Sequence, residues 1–151
     1  MGHGLFTHYL TEAKQAATEQ SADKSIALRK TPATLSEEQV KTMLAEKNFY
    51  DSSWNKDGKG LTHNYVEQTL NGDKIVLDKT TGLMWQQSGS HNYMVYSDAE
   101  KYIRELNDKS FAGFTDWRLP TLEKAMSLME TQKKNGDLYI DSNFDQTQRR
   151  I

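Results

Sequence analysis

One stretch of this sequence has the residue types and spacing of a metal-binding loop. Ser53, Asn55, Asp57 and Gly58 match positions one, three, five and six of a calcium loop, whose oxygen ligands hold the cation. The first ligand of such a loop should be acidic but is Ser53, and the twelfth should be a bidentate glutamate but is Asn64. Because both charged ligands are missing, we favour a turn rich in Asp, Asn and Gly, and we predict no metal site.

The histidines and serines offer no recognisable catalytic constellation. His3 and His8 have a zinc-finger spacing, but such sites are completed by two cysteines and this chain contains none. His63 and His91 stand alone in the sequence, and we interpret them as surface or hydrogen-bonding residues. A serine nucleophile would need a G-x-S-x-G turn, which is absent, and Gly58-Lys59-Gly60 is too short for a phosphate loop. We therefore predict no catalytic residue and no cofactor.

Two tryptophans and an arginine have two interpretations. In a binding site, Trp85 and Trp117 would stack on a ligand and the Arg118 guanidinium would pair with an anionic group. In a domain core, both indoles would be buried and Arg118 would donate hydrogen bonds to loop carbonyls. We favour the core interpretation, because both tryptophans lie close to a leucine at element boundaries. It predicts that Trp117 and Leu119 are largely buried and that Arg118 bonds to the backbone.

The composition excludes several classes of protein. The chain has 151 residues with 19 basic and 21 acidic side chains, and neither half is polybasic. Surfaces that bind nucleic acid or anionic membranes need clustered Lys and Arg, so we expect neither partner. No apolar run approaches the ~20 residues that cross a bilayer, and the N-terminus lacks a signal-peptide pattern. As the chain stands we expect it to be soluble and cytoplasmic, or extracytoplasmic if it belongs to a longer exported protein.

The sequence divides into a helical segment with a polar tether, a short amphipathic helix with a loop, and a larger domain, over residues 1–34, 35–60 and 61–151. Leu5–Gln20 is helix-permissive, and the polar stretch after it contains Pro32. The second helix is predicted over Ser36–Lys47, because Ser36 and Gln39 form a capping box ahead of an apolar face.

Turn and cap signals set the predicted elements of residues 61–151. Asn71-Gly72 is a strong hairpin signal, because both positions tolerate a positive φ, and it separates two short strand patterns. A third strand follows at Leu83-Met84-Trp85. A capping box at Ser97 predicts one helix, and Thr121 caps another that ends at Asn135-Gly136. The two strands that flank the turn are predicted over Tyr65–Leu70 and Asp73–Asp78, and one more strand is predicted over Leu138–Ile140.

The chain contains two motifs, Thr81-Gly82-Leu83-Met84-Trp85-Gln86 and Asp116-Trp117-Arg118-Leu119-Pro120-Thr121. In this order they are similar to motifs of the Lcl C-terminal domain family, a bacterial domain of unknown function. The resemblance extends over about residues 72–148, including Asp78 ahead of the first motif and the helix carrying Leu106-Asn107.

The resemblance implies a C-type-lectin-like α+β fold, in which a twisted antiparallel sheet carries two helices. Such domains generally bind glycans, glycosaminoglycans or proteins, so it also implies a non-enzymatic binding or sensing module of a larger bacterial protein. Formylglycine-generating enzymes share a fold of this kind, but the absence of cysteine argues against that chemistry. The calcium-dependent lectin motifs are missing too, and the ligand-binding residues stay undefined.

Both ends depart from the family pattern. The family normally continues into further strands, whereas this chain stops at Arg149-Arg150-Ile151, so we expect an incomplete domain. Gly2–Leu10 is similar to the late part of a bacterial caspase-like domain. The alternative function is therefore a regulatory or accessory fragment of a caspase-like protease, or of another enzyme whose catalytic residues lie outside this chain.

An incomplete sheet leads to one more expectation. Strands without their neighbours expose unpaired amides and carbonyls, and the side chains of Ile75, Leu77, Met84 and Trp85 lose their cover. We therefore expect self-association through an exposed sheet edge, a partner strand from another chain, or a partly molten domain.

Overall fold

A computed structural model describes residues 10–11, 26–90 and 94–146 of the chain. Its strands are β1 (Leu10–Thr11), β2 (Tyr65–Leu70), β3 (Asp73–Asp78) and β4 (Leu83–Gln86). Its helices are α1 (Glu37–Lys47), α2 (Tyr96–Asp108) and α3 (Leu122–Ser127), with a 3₁₀-helix over Phe111–Gly113. The strands pair antiparallel in the order β1-β4-β3-β2. This arrangement confirms the predicted α+β class.

The hairpin of β2 and β3 forms as predicted. Asn71 has a φ of 52° and Gly72 a φ of 87°, the left-handed backbone that a tight two-residue hairpin turn requires. The turn fixes the register, so that Leu70 lies opposite Asp73 and Tyr65 opposite Asp78. The third predicted strand is also confirmed, as β4 paired with β3.

Both faces of β3 and β4 are buried: successive residues of a strand point to opposite sides, and each side packs against its own cluster. On one face Ile75 and Met84 pack against α2 and Trp117. On the other face Val76 and Trp85 pack against α1 and against side chains from the C-terminal part of the chain. The expected loss of cover is therefore wrong: Ile75 is 0% exposed, Trp85 1% and Met84 8%, and Leu77 is half-buried.

On the Trp85 face of the sheet, part of the cover comes from α1. Ser36 and Gln39 form the predicted capping box, with Ser36 N donating to Gln39 Oε1 at 2.8 Å. The buried side chains of α1 are Val40, Met43 and Leu44, which join the cluster around Trp85. This cluster crosses the boundary predicted at residue 60, although the division into three segments stays a prediction. Self-association through a sheet edge also stays a prediction.

The two later helices differ from the prediction at one end each. The helix expected to start from the Ser97 capping box starts earlier, at Tyr96, because the Val95 carbonyl accepts the amides of Asp98 and Ala99 at 3.0 Å. The helix expected to run to Asn135-Gly136 ends at Ser127 instead. The Ser127 hydroxyl donates to the Lys124 carbonyl at 2.6 Å, and the amides of Leu128 and Met129 donate at 3.2 Å to carbonyls only three residues earlier.

The strand predicted over Leu138–Ile140 does not join the sheet. Asn135 and Leu138 form only an isolated bridge around Gly136, whose φ is 62°. The buried Asn135 amide donates to the carbonyls of Asp141 and Phe144 at 3.2 and 2.6 Å. These side-chain bonds hold the segment as a turn that packs Ile140 into the core.

Most of the predicted N-terminal helix over Leu5–Gln20 lies outside the described residues, as does nearly all of the caspase-like stretch Gly2–Leu10. The part that is described, Leu10–Thr11, is a strand rather than a helix. It pairs with Trp85 and Met84 of β4, whose edge offers backbone partners that a helix could not use. Within the described ranges, no helix combines the length and apolar character needed to cross a membrane.

Candidate functional site

Trp117 anchors the segment that carries the second motif. The Asn107 side chain, on α2, accepts from Trp117 N at 2.6 Å and donates to Trp117 O at 2.9 Å. The indole donates to the Phe111 carbonyl at 2.9 Å, packs edge-on against the Phe111 ring and is only 2% exposed. The predicted burial of Trp117 is therefore confirmed, and neither Trp85 nor Trp117 is available to stack on a ligand.

The residues that follow Trp117 reach the surface and line a groove. Leu119 is half-buried against the cluster around Trp117, whereas Arg118 is exposed. Thr121 caps α3 as predicted, accepting from Lys124 N at 3.3 Å, and its hydroxyl donates to the Arg29 carbonyl at 2.9 Å. Thr121 thereby joins the segment before α1 to the start of α3. That Arg118 bonds to the backbone stays a prediction.

This groove has a volume of about 360 Å³ and is strongly basic, and we call it the basic groove. Its walls come from the segment before α1, from α2, from the second motif and from α3. Tyr96, at its edge, is 71% exposed. One acidic residue, Glu100, faces four basic ones. The lining residues are Lys30, Pro32, Tyr96, Glu100, Ile103, Arg104, Arg118, Leu119, Thr121 and Lys124.

Lys124 is the least exposed cation of the basic groove. The residue is 4% exposed, although lysine is almost never buried this far. Its pKa is lowered to about 8, because burial removes water from the ammonium group and because Arg118 and Lys30 add positive charge nearby. A protonated Lys124 therefore gains more from a bound anion than an exposed lysine does.

A second constellation is buried between the sheet and α3. The side chains of His63 and Asp78 are 2% and 0% exposed, and His63 Nδ1 lies 2.7 Å from Asp78 Oδ2. His63 Nε2 lies 2.6 Å from the Ser127 carbonyl oxygen. Asp78 also accepts from Thr80 N at 3.0 Å and from the Thr81 hydroxyl. Asp78 and Thr81 lie in the stretch around the first motif that resembles the family, so this network holds that stretch in place.

The geometry specifies the charge of His63. A carboxylate and a carbonyl can only accept, so both ring nitrogens donate and the ring is an imidazolium. Burial alone lowers the pKa of His63, but the hydrogen bond and charge of Asp78 and the Ser127 carbonyl raise it more, and the net direction is upward. The ring also stacks on Tyr65 with centroids 4.7 Å apart. Both ring nitrogens are hydrogen-bonded inside the protein, so His63 links Asp78 on β3 to the end of α3.

The raised pKa of His63 makes stability depend on pH. A histidine in the unfolded chain has a pKa of about 6.5. Between that pH and the folded pKa, the folded state therefore holds more protons than the unfolded state. We expect the free energy of unfolding, measured by urea unfolding, to fall as the pH rises above about 6.5 toward the raised pKa of His63. Above about pH 8 the lowered pKa of Lys124 acts in the opposite direction. His63→Gln should flatten the profile, and an equally steep decline in this variant would contradict the assignment.

The calcium-like stretch is used for local backbone bonding. The Asn55 side-chain amide donates to the carbonyls of Leu44 and Phe49 at 3.1 and 2.8 Å. A Cβ at Gly58 would come within 2.3 Å of the Phe49 carbonyl oxygen, so only glycine fits there. Within the described residues, no three His, Asp or Glu side chains cluster as metal ligands would.

A known family matches the C-terminal half of the chain, which supplies most of the basic groove and Asp78 of the buried pair. The sequence model of the Lcl C-terminal domain matches residues 74–150, just over half of the chain. The chain belongs to the Lcl C-terminal domain family. No curated protein and no solved structure matches the chain. In this Lcl C-terminal domain, the first motif runs through the buried strand β4 and the second forms a wall of the basic groove.

Sequence reasoning missed both constellations in part. In the sequence His63 has no recognisable partner, although the Asn71-Gly72 turn sets a register that places Asp78 opposite Tyr65, which follows His63 by two residues. Arg118 is recognisable in the sequence as a candidate anion ligand. Its companions Lys30, Arg104 and Lys124 come from separate segments, and nothing in their spacing indicates that they meet.

Proposed function

We propose that this protein is a non-enzymatic ligand-binding module, and that its ligand is a glycan or protein segment bearing acidic groups. The observation that carries the proposal is the basic groove, whose wall includes Arg118, Leu119 and Thr121 of the family motif. A C-type-lectin-like fold, which would place binding on loops, is part of the same proposal.

The charge of the groove supports an anionic ligand. The whole chain has a formal net charge of −2, so the excess of four cations over one acid in the groove is a local concentration. Opposite charges attract a ligand more strongly at a partly desolvated site than on open surface. Arg118 adds a planar fork that can bind a carboxylate, sulfate or phosphate through two parallel hydrogen bonds.

The apolar part of the groove supports a ligand larger than a simple ion. Ile103 and Leu119 line it beside the exposed ring of Tyr96. An aromatic ring with a polar tip offers both a stacking face and a hydrogen-bonding group to a sugar ring or a peptide. A glycan or peptide carrying an acidic group combines the two features that the groove presents.

The proposal predicts that Arg118 is required for tight binding. Arg118→Gln should weaken binding of an acidic oligosaccharide or acidic peptide about tenfold, which corresponds to about 1.4 kcal/mol and one charge-assisted contact. The matched control is Lys133→Gln, which removes one exposed positive charge outside the groove and should leave the affinity unchanged. Affinities are measured by calorimetry on a panel of acidic and neutral ligands. Equal binding of neutral ligands, or unchanged affinity in Arg118→Gln, would contradict the proposal.

A further inference from the structure

We infer that Lys124 is a nucleophilic amine that captures aldehydes or ketones bearing a phosphate or carboxylate group, as a reversible imine in the basic groove. The inference rests on the proposed function, because it uses the same groove for the anionic part of the ligand. It goes further by assigning covalent chemistry to one side chain and by naming a class of small ligand.

The position of Lys124 is set by the cap of α3. Its amide donates to the Thr121 hydroxyl, and the side chain lines the groove while the residue is only 4% exposed. An ordinary surface lysine has neither a backbone amide held by a helix cap nor a groove around its side chain. Confinement of this kind raises the effective concentration of a bound ligand at the amine.

The charges around Lys124 favour its neutral, nucleophilic form. Lys30 faces it from the segment before α1, Arg118 from the second motif, and Glu100 and Arg104 line the groove from α2. Burial, then Arg118 and Lys30, lower its pKa to about 8. About a tenth of the amine is then neutral at pH 7, against less than about a thousandth for an unperturbed lysine. Desolvation and neighbouring cations are known means of activating lysine as a nucleophile.

The same cations hold the anionic part of the ligand. Arg118 can bind a phosphate or carboxylate through its fork, and Lys30 and Arg104 add to the attraction. Neutral carbonyl compounds lack this contact and stay at their bulk concentration. The groove therefore selects for molecules that carry the carbonyl and the charge together.

The chemical step balances without any oxidant or reductant. The neutral nitrogen of Lys124 attacks the carbonyl carbon, and the C–N bond forms as the carbonyl π bond opens to a carbinolamine. The carbonyl oxygen then leaves as water, taking the two hydrogens of the amine, and a C=N bond remains. Hydrolysis reverses the sequence, so the site holds and releases its ligand unchanged.

Pyridoxal 5′-phosphate is a suitable probe because it carries an aldehyde and a phosphate. The full chain is incubated with this probe at about pH 8, where half of the Lys124 amine is neutral. Borohydride then reduces the imine to a stable amine. Peptide mass mapping then gives the labelling of each lysine. We expect Lys124 to be labelled about tenfold more than exposed Lys133, with inorganic phosphate competing and pyridoxal, which lacks the phosphate, labelling it less.

Two variants separate this inference from the proposed function. Lys124→Arg keeps the positive charge and should lose the label at this site while still binding the acidic ligands of the calorimetric assay. Arg118→Gln keeps the amine and should lower both the labelling of Lys124 and the binding of acidic ligands. The wild-type labelling pattern tests the site even if Lys124→Arg folds poorly. Even labelling of all exposed lysines, or no label on Lys124 while acidic ligands still bind, would overturn the inference and leave the proposed function standing.

Discussion

Replacing Trp117 with alanine is expected to lower the free energy of unfolding by about 3–5 kcal/mol, the usual range for removing a buried large aromatic side chain. The indole is 2% exposed and fills the space between α2 and the 3₁₀-helix. The substitution also removes its hydrogen bond to the Phe111 carbonyl, which would be left without this donor. Chemical denaturation followed by circular dichroism measures the loss.

Trp54→Ala is the matched control for this experiment. Trp54 is 46% exposed, and its described contact is the Lys41 ammonium 5.8 Å from the ring centroid. Its removal is expected to cost about 0.5 kcal/mol or less, as exposed substitutions usually do. If Trp117→Ala unfolds at the same denaturant concentration as the parent, Trp117 does not anchor the wall of the basic groove.

The second large effect is expected at Asp78. Asp78→Asn keeps the size of the side chain but removes the negative charge facing the buried imidazolium of His63. Breaking a buried ion pair in this way usually costs about 3–5 kcal/mol, because an uncompensated charge remains. The loss should be largest below about pH 6, where His63 is protonated in both the folded and unfolded states. Denaturant unfolding at two pH values measures it.

Two further variants test the origin of that loss. Asp137→Asn removes an exposed carboxylate, 97% accessible and paired with Lys133, and should leave the stability unchanged. The double variant of Asp78→Asn and His63→Gln should be less destabilised than the sum of the single variants, since the two side chains act as a pair. Strict additivity would show that Asp78 acts through Thr80 and Thr81 rather than through His63.

Features fixed by local chemistry could be predicted from the sequence. The Asn71-Gly72 turn, the Ser36 capping box and the Thr121 cap depend on residues within a few positions of each other, and all three form as predicted. The end of α3 could not be predicted in this way. The helical pattern continues past Ser127, but its carbonyl accepts from His63, 64 positions away.

The candidate site depends on distant residues to a still greater extent. Arg118 could be recognised as an anion ligand, but its companions lie on three other segments of the chain. The sheet side chains predicted to lose their cover are also buried by distant packing, since α1 packs against Trp85 and α2 packs against Ile75 and Met84. In both cases tertiary packing determines the outcome, and periodicity and turn residues carry no information about it.

The central claim, that the basic groove binds an acidic ligand, is tested most directly by locating the ligand. An isotope-labelled sample is titrated with an acidic oligosaccharide or acidic peptide, and the backbone amide shifts are followed residue by residue. We predict progressive shifts confined to residues of the groove, above all Lys30, Arg104, Arg118 and Lys124, that weaken as salt is added. Shifts confined to the opposite face of the sheet, or saturation by the ligand without any change at Arg118 and Lys124, would contradict it.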